Sequence, residues 1–399
     1  HSLILKSHIR DPSMKKIRFI IMGIVICPFF NSSFAQTSNS GQTGVRIITT
    51  AVPFLTITPD AHSGGLGDAG VAISNDANAM HWNLASVAFF ENRFGASFSY
   101  TPWLRNLKVR NAADPRFGKP ALPDLNLLYF ASYYQLGEKQ GAIGLSFRQF
   151  TLSEITFTDN LGQVIGTDRP KEFAVDLGYT RKITSSLSAG LSLRYIYSRL
   201  AISPVFPDRE FKFGSVAADL SMLYNKSISI NDFPVQLRTG FNLSNLGPKV
   251  SYTGNSSDSN FLPTNLKLGY ALTANFNDYL HTITFTNDFN KLLVPSEGGA
   301  SSKSLLDGVF GSFGDAEGGL SEEISEVTLS LGLEYEFNQL ASIRFGYFYE
   351  DPLKGNREFF TLGAGTKYKG IKLDVTFLLA EDRKHSLQRR ARYTLAYLF

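Results

Sequence analysis

The chain has 399 residues, a formal net charge of +4 and an aromatic share of 13%, with 33 Phe and 17 Tyr. Its mean hydropathy of −0.07 fits a soluble protein, and it equally fits a membrane barrel whose lipid-facing and lumen-facing residues cancel. A single cysteine, Cys27, excludes an intramolecular disulfide and a cysteine-based metal site.

Residues 1–13 precede Met14 and read as an upstream extension. Lys15, Lys16 and Arg18 then lead into an apolar run over 19–30, and Ser33 and Ala35 stand at the small positions of a cleavage site. This predicts a signal peptide over 14–35. The run is shorter than the ~20 residues a spanning helix needs, and Cys27 lacks the preceding small residue of a lipoprotein signal. The mature chain is expected to be 36–399, exported across an inner membrane, and no later segment reads as a transmembrane helix.

Residues 36–92 are expected to form an N-terminal periplasmic segment and plug. They are rich in Gly and Ala, and Gly64, Gly65, Gly67, Asp68, Gly70 and Asn83 are the candidate plug residues. Gly65 to Gly70 match G-x-G-x-x-G, yet a dinucleotide site requires a strand before the motif and a helix after it. No helical period follows, so close backbone packing is the better reading.

From residue 93 onward, segments of period-two hydrophobicity recur between turn residues. They are 93–101, 125–136, 141–152, 171–182, 187–202, 211–225, 234–246, 263–276, 279–290, 325–338, 340–350, 357–368, 370–380 and 389–399. One parity is apolar, as in Phe173, Val175, Leu177 and Tyr179. The other carries Arg148, Asp176, Arg194, Asp219, Arg238, Glu334, Glu336, Arg344, Lys372 and Asp374. A charge on a lipid face costs ~2–4 kcal/mol for Arg or Lys at the midplane, so this parity belongs inside, where charges can pair across a lumen. A single strand would fit a soluble sheet equally well, and the connections decide. Long loops (102–124, 153–170, 203–210, 247–262, 291–324, 351–356, 381–388) alternate with short turns, the one near 226–233 being of middling length. That alternation predicts an all-β fold: a 14-stranded antiparallel transmembrane β-barrel over 93–399 in a bacterial outer membrane.

The final segment carries Tyr393, Leu395, Tyr397 and Phe399 on one face, against Arg390, Arg392 and Thr394 on the other. This resembles the assembly signature, with a final Phe, of outer-membrane barrels. The long fifth loop holds Leu292, Leu293, Val294, Leu305, Leu306, Val309 and Phe310 among Gly and Ser, the candidate partner-binding cluster. Loops longer than ~15 residues without regular structure are usually functional or disordered. Arg383, Lys384, His385, Arg389, Arg390 and Arg392 are a solvated basic loop in the plain reading, or a site for lipopolysaccharide phosphate or an acidic partner. His281 with Asp288, or His385 with Asp382, could begin a catalytic site, but no motif supports either pair. The expectation is no enzyme, no cofactor, no metal and no nucleic acid.

Two stretches carry a resemblance. Residues 51–61, AVPFLTITPDA, running into Gly64-Gly65-Leu66-Gly67-Asp68-Ala69-Gly70-Val71-Ala72, are similar to the N-terminal signature of the PorV (LptO) family of the Bacteroidetes type IX secretion system. Asn287-Asp288-Phe289-Asn290-Lys291-Leu292-Leu293-Val294-Pro295 resembles a second stretch of that family. More broadly the chain looks like the FadL class of 14-stranded barrels, with Asn83-Leu84-Ala85 in place of that class's Asn-Pro-Ala and Ser296-Glu297-Gly298-Gly299 where related chains are proline-rich. The resemblance implies an outer-membrane protein that binds cargo C-terminal signal domains. It would take cargo from the translocon barrel to the attachment complex, whose protease removes the signal and links cargo to lipopolysaccharide. A FadL-like transporter of hydrophobic small molecules is the alternative.

Overall fold

The computed structural model describes residues 47–104, 107–108, 121–122, 125–137, 139–152, 154–159, 161, 163–202, 210–231, 233–277, 279–296, 303–380 and 390–399. The signal peptide, Cys27 and the basic positions 383–389 lie outside the described residues.

Fourteen antiparallel strands close into a barrel: β1 Phe94–Leu104, β2 Leu125–Gly137, β3 Gly141–Thr151, β4 Lys171–Lys182, β5 Leu187–Ile202, β6 Glu210–Ile230, β7 Phe233–Leu246, β8 Asn265–Phe276, β9 His281–Leu292, β10 Val327–Phe337, β11 Ala341–Tyr349, β12 Glu358–Tyr368, β13 Ile371–Ala380 and β14 Arg390–Leu398. Closure leaves no edge strand, the condition for crossing a bilayer with sheet. The seam runs from Gly95↔Leu398 to Tyr100↔Tyr393. Parity is as the sequence dictates: Leu177, Leu193, Tyr195, Phe345 and Phe377 are exposed outward, while Asp176, Arg194, Arg344 and Asp374 are buried inside.

The connections explain the topology. Asn338 and Gln339 both have positive φ, as do Lys369 and Gly370, the backbone of two-residue hairpin turns whose twist matches the strands. One expectation needs correction. The strand ending near 225 continues to Ile230, and the next begins at Phe233, so the middling turn is a tight one. Ser227, Ile228 and Ser229 keep the alternation and pair with Gln236, Val235 and Pro234. Two of the long loops carry short antiparallel ribbons, Leu107–Lys108 with Ala121–Leu122 and Ile155–Thr158 with Val164–Asp168.

Residues 47–92 fill the lumen. The 3-10 turn Pro53–Thr56, helices α1 (Ala61–Gly64) and α2 (Ala79–Trp82), and the 3-10 helix Leu84–Phe89 are their only regular pieces among the described residues. The segment runs from rim to rim. Phe54, Leu55 and Ile57 pack with Leu127, Phe150 and Leu262 near the long loops, and the Ala51 amide donates to the Phe261 carbonyl (2.9 Å). Met80, Leu84 and Val87 pack lower, with Tyr133, Ala142 and Leu398. The plug therefore does not simply enter from the short-turn side: its beginning stands among the long loops and its end at the periplasmic turns.

Candidate functional site

Polar latches join plug and wall across the lumen. A wall strand can spare a side chain for the plug because its own backbone groups are used by its neighbours. Asp288 on β9 accepts from the Gly70 and Val71 amides (2.7 and 2.9 Å). Arg392 on β14 pairs with Asp68, Lys372 on β13 with Asp76 (3.0 Å), and Glu334 on β10 with the His62 ring (3.1 Å). Thr394 accepts from the Ala61 amide (2.8 Å), Ser188 donates to the Ala85 carbonyl (2.7 Å), and the Asn83 amide group donates to the Val71 and Met222 carbonyls (2.9 and 3.0 Å). Of the candidate plug residues, Asp68 and Asn83 thus bond the wall through side chains, and Gly67 and Gly70 through their backbone amides. Gly67, with φ +69°, faces the backbone of Tyr347 so closely that a Cβ would meet its carbonyl oxygen at 2.5 Å.

Electrostatics within the plug follow from burial. Burial raises the Asp76 carboxyl, but Lys372 and His62 outweigh it and hold the group below its ordinary value. Asp60 goes the other way: burial and the neighbouring Asp76 raise it, although Trp82 and Ser63 donate to it. His81 is held well below its ordinary value by burial and then by Arg148, so it is neutral and its Nδ1 can accept from the guanidinium at 3.2 Å. Other lumen charges pair wall to wall. Arg194 bridges Asp176 and Asp219, and Arg344 bridges Glu334 and Asp374. Removing one member of such a pair costs about 3–5 kcal/mol, because the other charge is stranded.

Above these latches lies a cavity of about 340 Å³ between the plug's first residues and the rim, lined in part by Thr50, Trp82, Lys267, Asp288, Glu326 and Arg357. Its lining is mixed, with Ile47, Ile48, Trp82, Leu292 and Phe348 standing among the charged side chains. His281 contacts the Tyr335 hydroxyl (2.8 Å) near the opposite end of β9 from this cavity, so His281 and Asp288 do not converge on one site. Among the described residues no three His, Cys, Asp or Glu side chains are grouped to hold a metal.

The described parts of the fifth loop, 293–296 and 303–326, are folded. Ser304 caps helix α3 (Leu305–Gly311) by accepting from the Asp307 amide. Gly308 lies against the ring of Phe261 in the fourth loop, and Lys249 of that loop donates to the Lys303 carbonyl (2.7 Å). Helix α4 (Leu320–Ser325) is held by carboxylates and lysines: Lys291 bonds Glu323 and Glu326 (2.8 and 2.5 Å), and Lys354 bonds Glu322 and Glu326 (2.6 and 2.9 Å). Burial raises the Glu323 carboxyl, yet Lys291 and the Ala316 amide outweigh it and the group sits below its ordinary value.

This fold divides the candidate partner cluster. Leu293, Val294 and Val309 are buried and hold the loop together, and Leu292 and Leu305 are half-buried. Leu306 (60% exposed) and Phe310 (73%) remain uncovered, i and i+4 on one face of α3. Sequence reasoning missed Phe313, Leu320 and Ile324, which are also exposed. The signal was available in the i, i+4 spacing of Leu320 and Ile324 beside three glutamates. Tyr393, Leu395, Tyr397 and Phe399 all face outward on or just beyond β14, and Arg392 and Thr394 face the lumen.

The barrel is similar to several solved structures. The toluene transporter TbuX of Ralstonia pickettii is 14% identical, with 85% of this chain and 97% of that chain covered and a TM-score of 0.50. A TodX monoaromatic hydrocarbon channel mutant is 12% identical over 84% of this chain and 96% of its own, with a TM-score of 0.52. At such identity the likeness is one of fold, a FadL-like barrel. No curated protein matches the chain in sequence. Residues 39–298 match the model of the type IX secretion system protein PorV, and the chain belongs to that family: it is an integral outer-membrane β-barrel component of type IX secretion.

Proposed function

We propose that the protein binds the C-terminal signal domains of secreted cargo at its long-loop rim and carries cargo from the translocon barrel to the attachment complex, whose protease removes the signal and links cargo to lipopolysaccharide. It acts by binding, not by catalysis. The observation that carries this reading is the uncovered pair Leu306 and Phe310 on α3, presented by a loop that is tied down through Phe261, Lys249, Lys291 and Lys354. Exposed apolar side chains grouped on an ordered surface mark interaction sites. The order reduces the entropy lost on binding. The plug latched to the wall across the lumen supports binding at the rim over passage of small molecules.

The test is to replace residues 296–322 with a short Gly-Ser link. The ends join adjacent strands, and loop closure changes by only about 0.6 kcal/mol per doubling of length, so the barrel should still assemble. Capture of cargo signal domains from detergent-solubilised outer membranes should fall at least tenfold. Full capture by an assembled, shortened protein would remove the fifth loop as the site. Intact protein that captures no secreted protein but binds fatty acids would instead support the transporter reading.

A further inference from the structure

The fifth loop presents a second apolar surface, directed sideways. Phe313, Leu320 and Ile324 overhang the outside of the barrel, where with Leu266, Leu268 and Phe289 they enclose a groove of about 290 Å³. Leu268 and Phe289 are partners across β8 and β9, and both are exposed. They belong to the outward parity that continues down these strands through Tyr270 and Phe285. The groove floor is thus continuous with the surface that the barrel presents to the hydrocarbon. At the next outward pair, Leu266 and Lys291, the surface turns polar: Lys291 is taken up by Glu323 and Glu326.

We infer that this groove takes an acyl chain of an outer-leaflet lipid, with α4 lying at the hydrocarbon boundary as a fixed overhang. Three observations fit an acyl chain rather than a polar ligand. The lining is almost entirely apolar side chain, the floor is already lipid-facing wall, and the nearby charges are satisfied by one another. Leu320 and Ile324 are 77% and 64% exposed, a poor arrangement in water and an ordinary one at a bilayer surface. The four lysine–glutamate contacts fix α4 at the height of the rim, where a helix with one apolar face rests. The site is separate from Leu306 and Phe310, so this inference does not rest on the cargo reading.

The test is site-directed spin labelling of the full chain with Cys27→Ser, reconstituted in phosphatidylcholine vesicles. Leu320→Cys and Ile324→Cys carry the label; Leu268→Cys is the lipid-facing reference and Leu306→Cys the water-facing one. Labels at 320 and 324 are expected to show the high oxygen and low nickel-chelate accessibility of position 268. Water-like accessibility at both would overturn the inference. Exclusion of both reagents, reporting a second copy of the chain over the patch, would overturn it as well. A nitroxide on the acyl chain supplies the second reading: it should broaden the signal at 324 and leave 306 unchanged, and equal effects at the two positions would refute the groove.

Discussion

Gly67→Ala is expected to unseat the plug. The new Cβ would lie 2.5 Å from the Tyr347 carbonyl oxygen, 2.6 Å from the Tyr347 nitrogen and 2.8 Å from the Leu331 carbonyl oxygen. All three are backbone atoms of β11 and β10, which cannot swing aside as a side chain could. Ordinary contact begins at 3.4 Å, so the plug must retreat by about 0.9 Å. The retreat weakens the bond from the Gly67 amide to Thr361 (3.1 Å), and alanine at φ +69° adds a conformational cost of about 1 kcal/mol. With overpacking at about 1–3 kcal/mol, docking loses about 2–4 kcal/mol, a shift of roughly 30- to 1,000-fold in the seated population. Single-channel recording in planar bilayers should show a closed parent and frequent open events in the variant. Gly314→Ala, where a Cβ meets nothing within 4 Å, should behave as the parent. A variant as silent as the parent, with an unchanged unfolding temperature, would refute the claim that backbone contact seats the plug.

Two further outcomes are expected. Phe399→Asp should lower the outer-membrane level of the protein far more than Leu398→Ala, since Phe399 faces lipid and Leu398 faces the lumen; equal levels would remove the assembly role given to the outward face. Protease resistance of the fifth loop should be retained through the ordinary glutamate range. The folded value of Glu323 lies below the unfolded one, so its stabilisation is full above the unfolded value and is lost only as pH falls through the depressed one. Glu326→Ala should shift this loss to milder conditions, because Glu326 is the carboxylate shared by Lys291 and Lys354; digestion identical to that of the parent would argue against the network.

The barrel was legible because its physics is local. A strand with one face in lipid and one in a lumen must alternate at every residue, so fourteen such segments announce themselves. The turn near 226–233 misled because Lys226, Ser227 and Ser229 look like a loop, whereas a polar strand end near the rim needs no apolar stripe. Glycine spacing marked the plug, but its span from rim to rim depends on contacts such as Ala51 with Phe261, more than 200 residues apart in sequence. The fifth loop was the least legible. Which leucines are covered depends on α3 seating against Phe261 and on four ion pairs between residues 291 and 354, and period alone encodes neither.

The latches of the plug include two on the strand that completes the ring. Arg392 and Thr394 of β14 hold Asp68 and the Ala61 amide, and Thr394 also bonds Ser99 on β1 across the seam (2.8 Å). Were the ring to close around an empty centre, Arg392 and Thr394 would face water and lose the partners that the plug supplies. Residues 47–92 thus grip the strand that completes the ring, so plug docking and barrel closure stabilise each other. A chain with a misplaced core would hold the seam between β1 and β14 by its strand pairing alone.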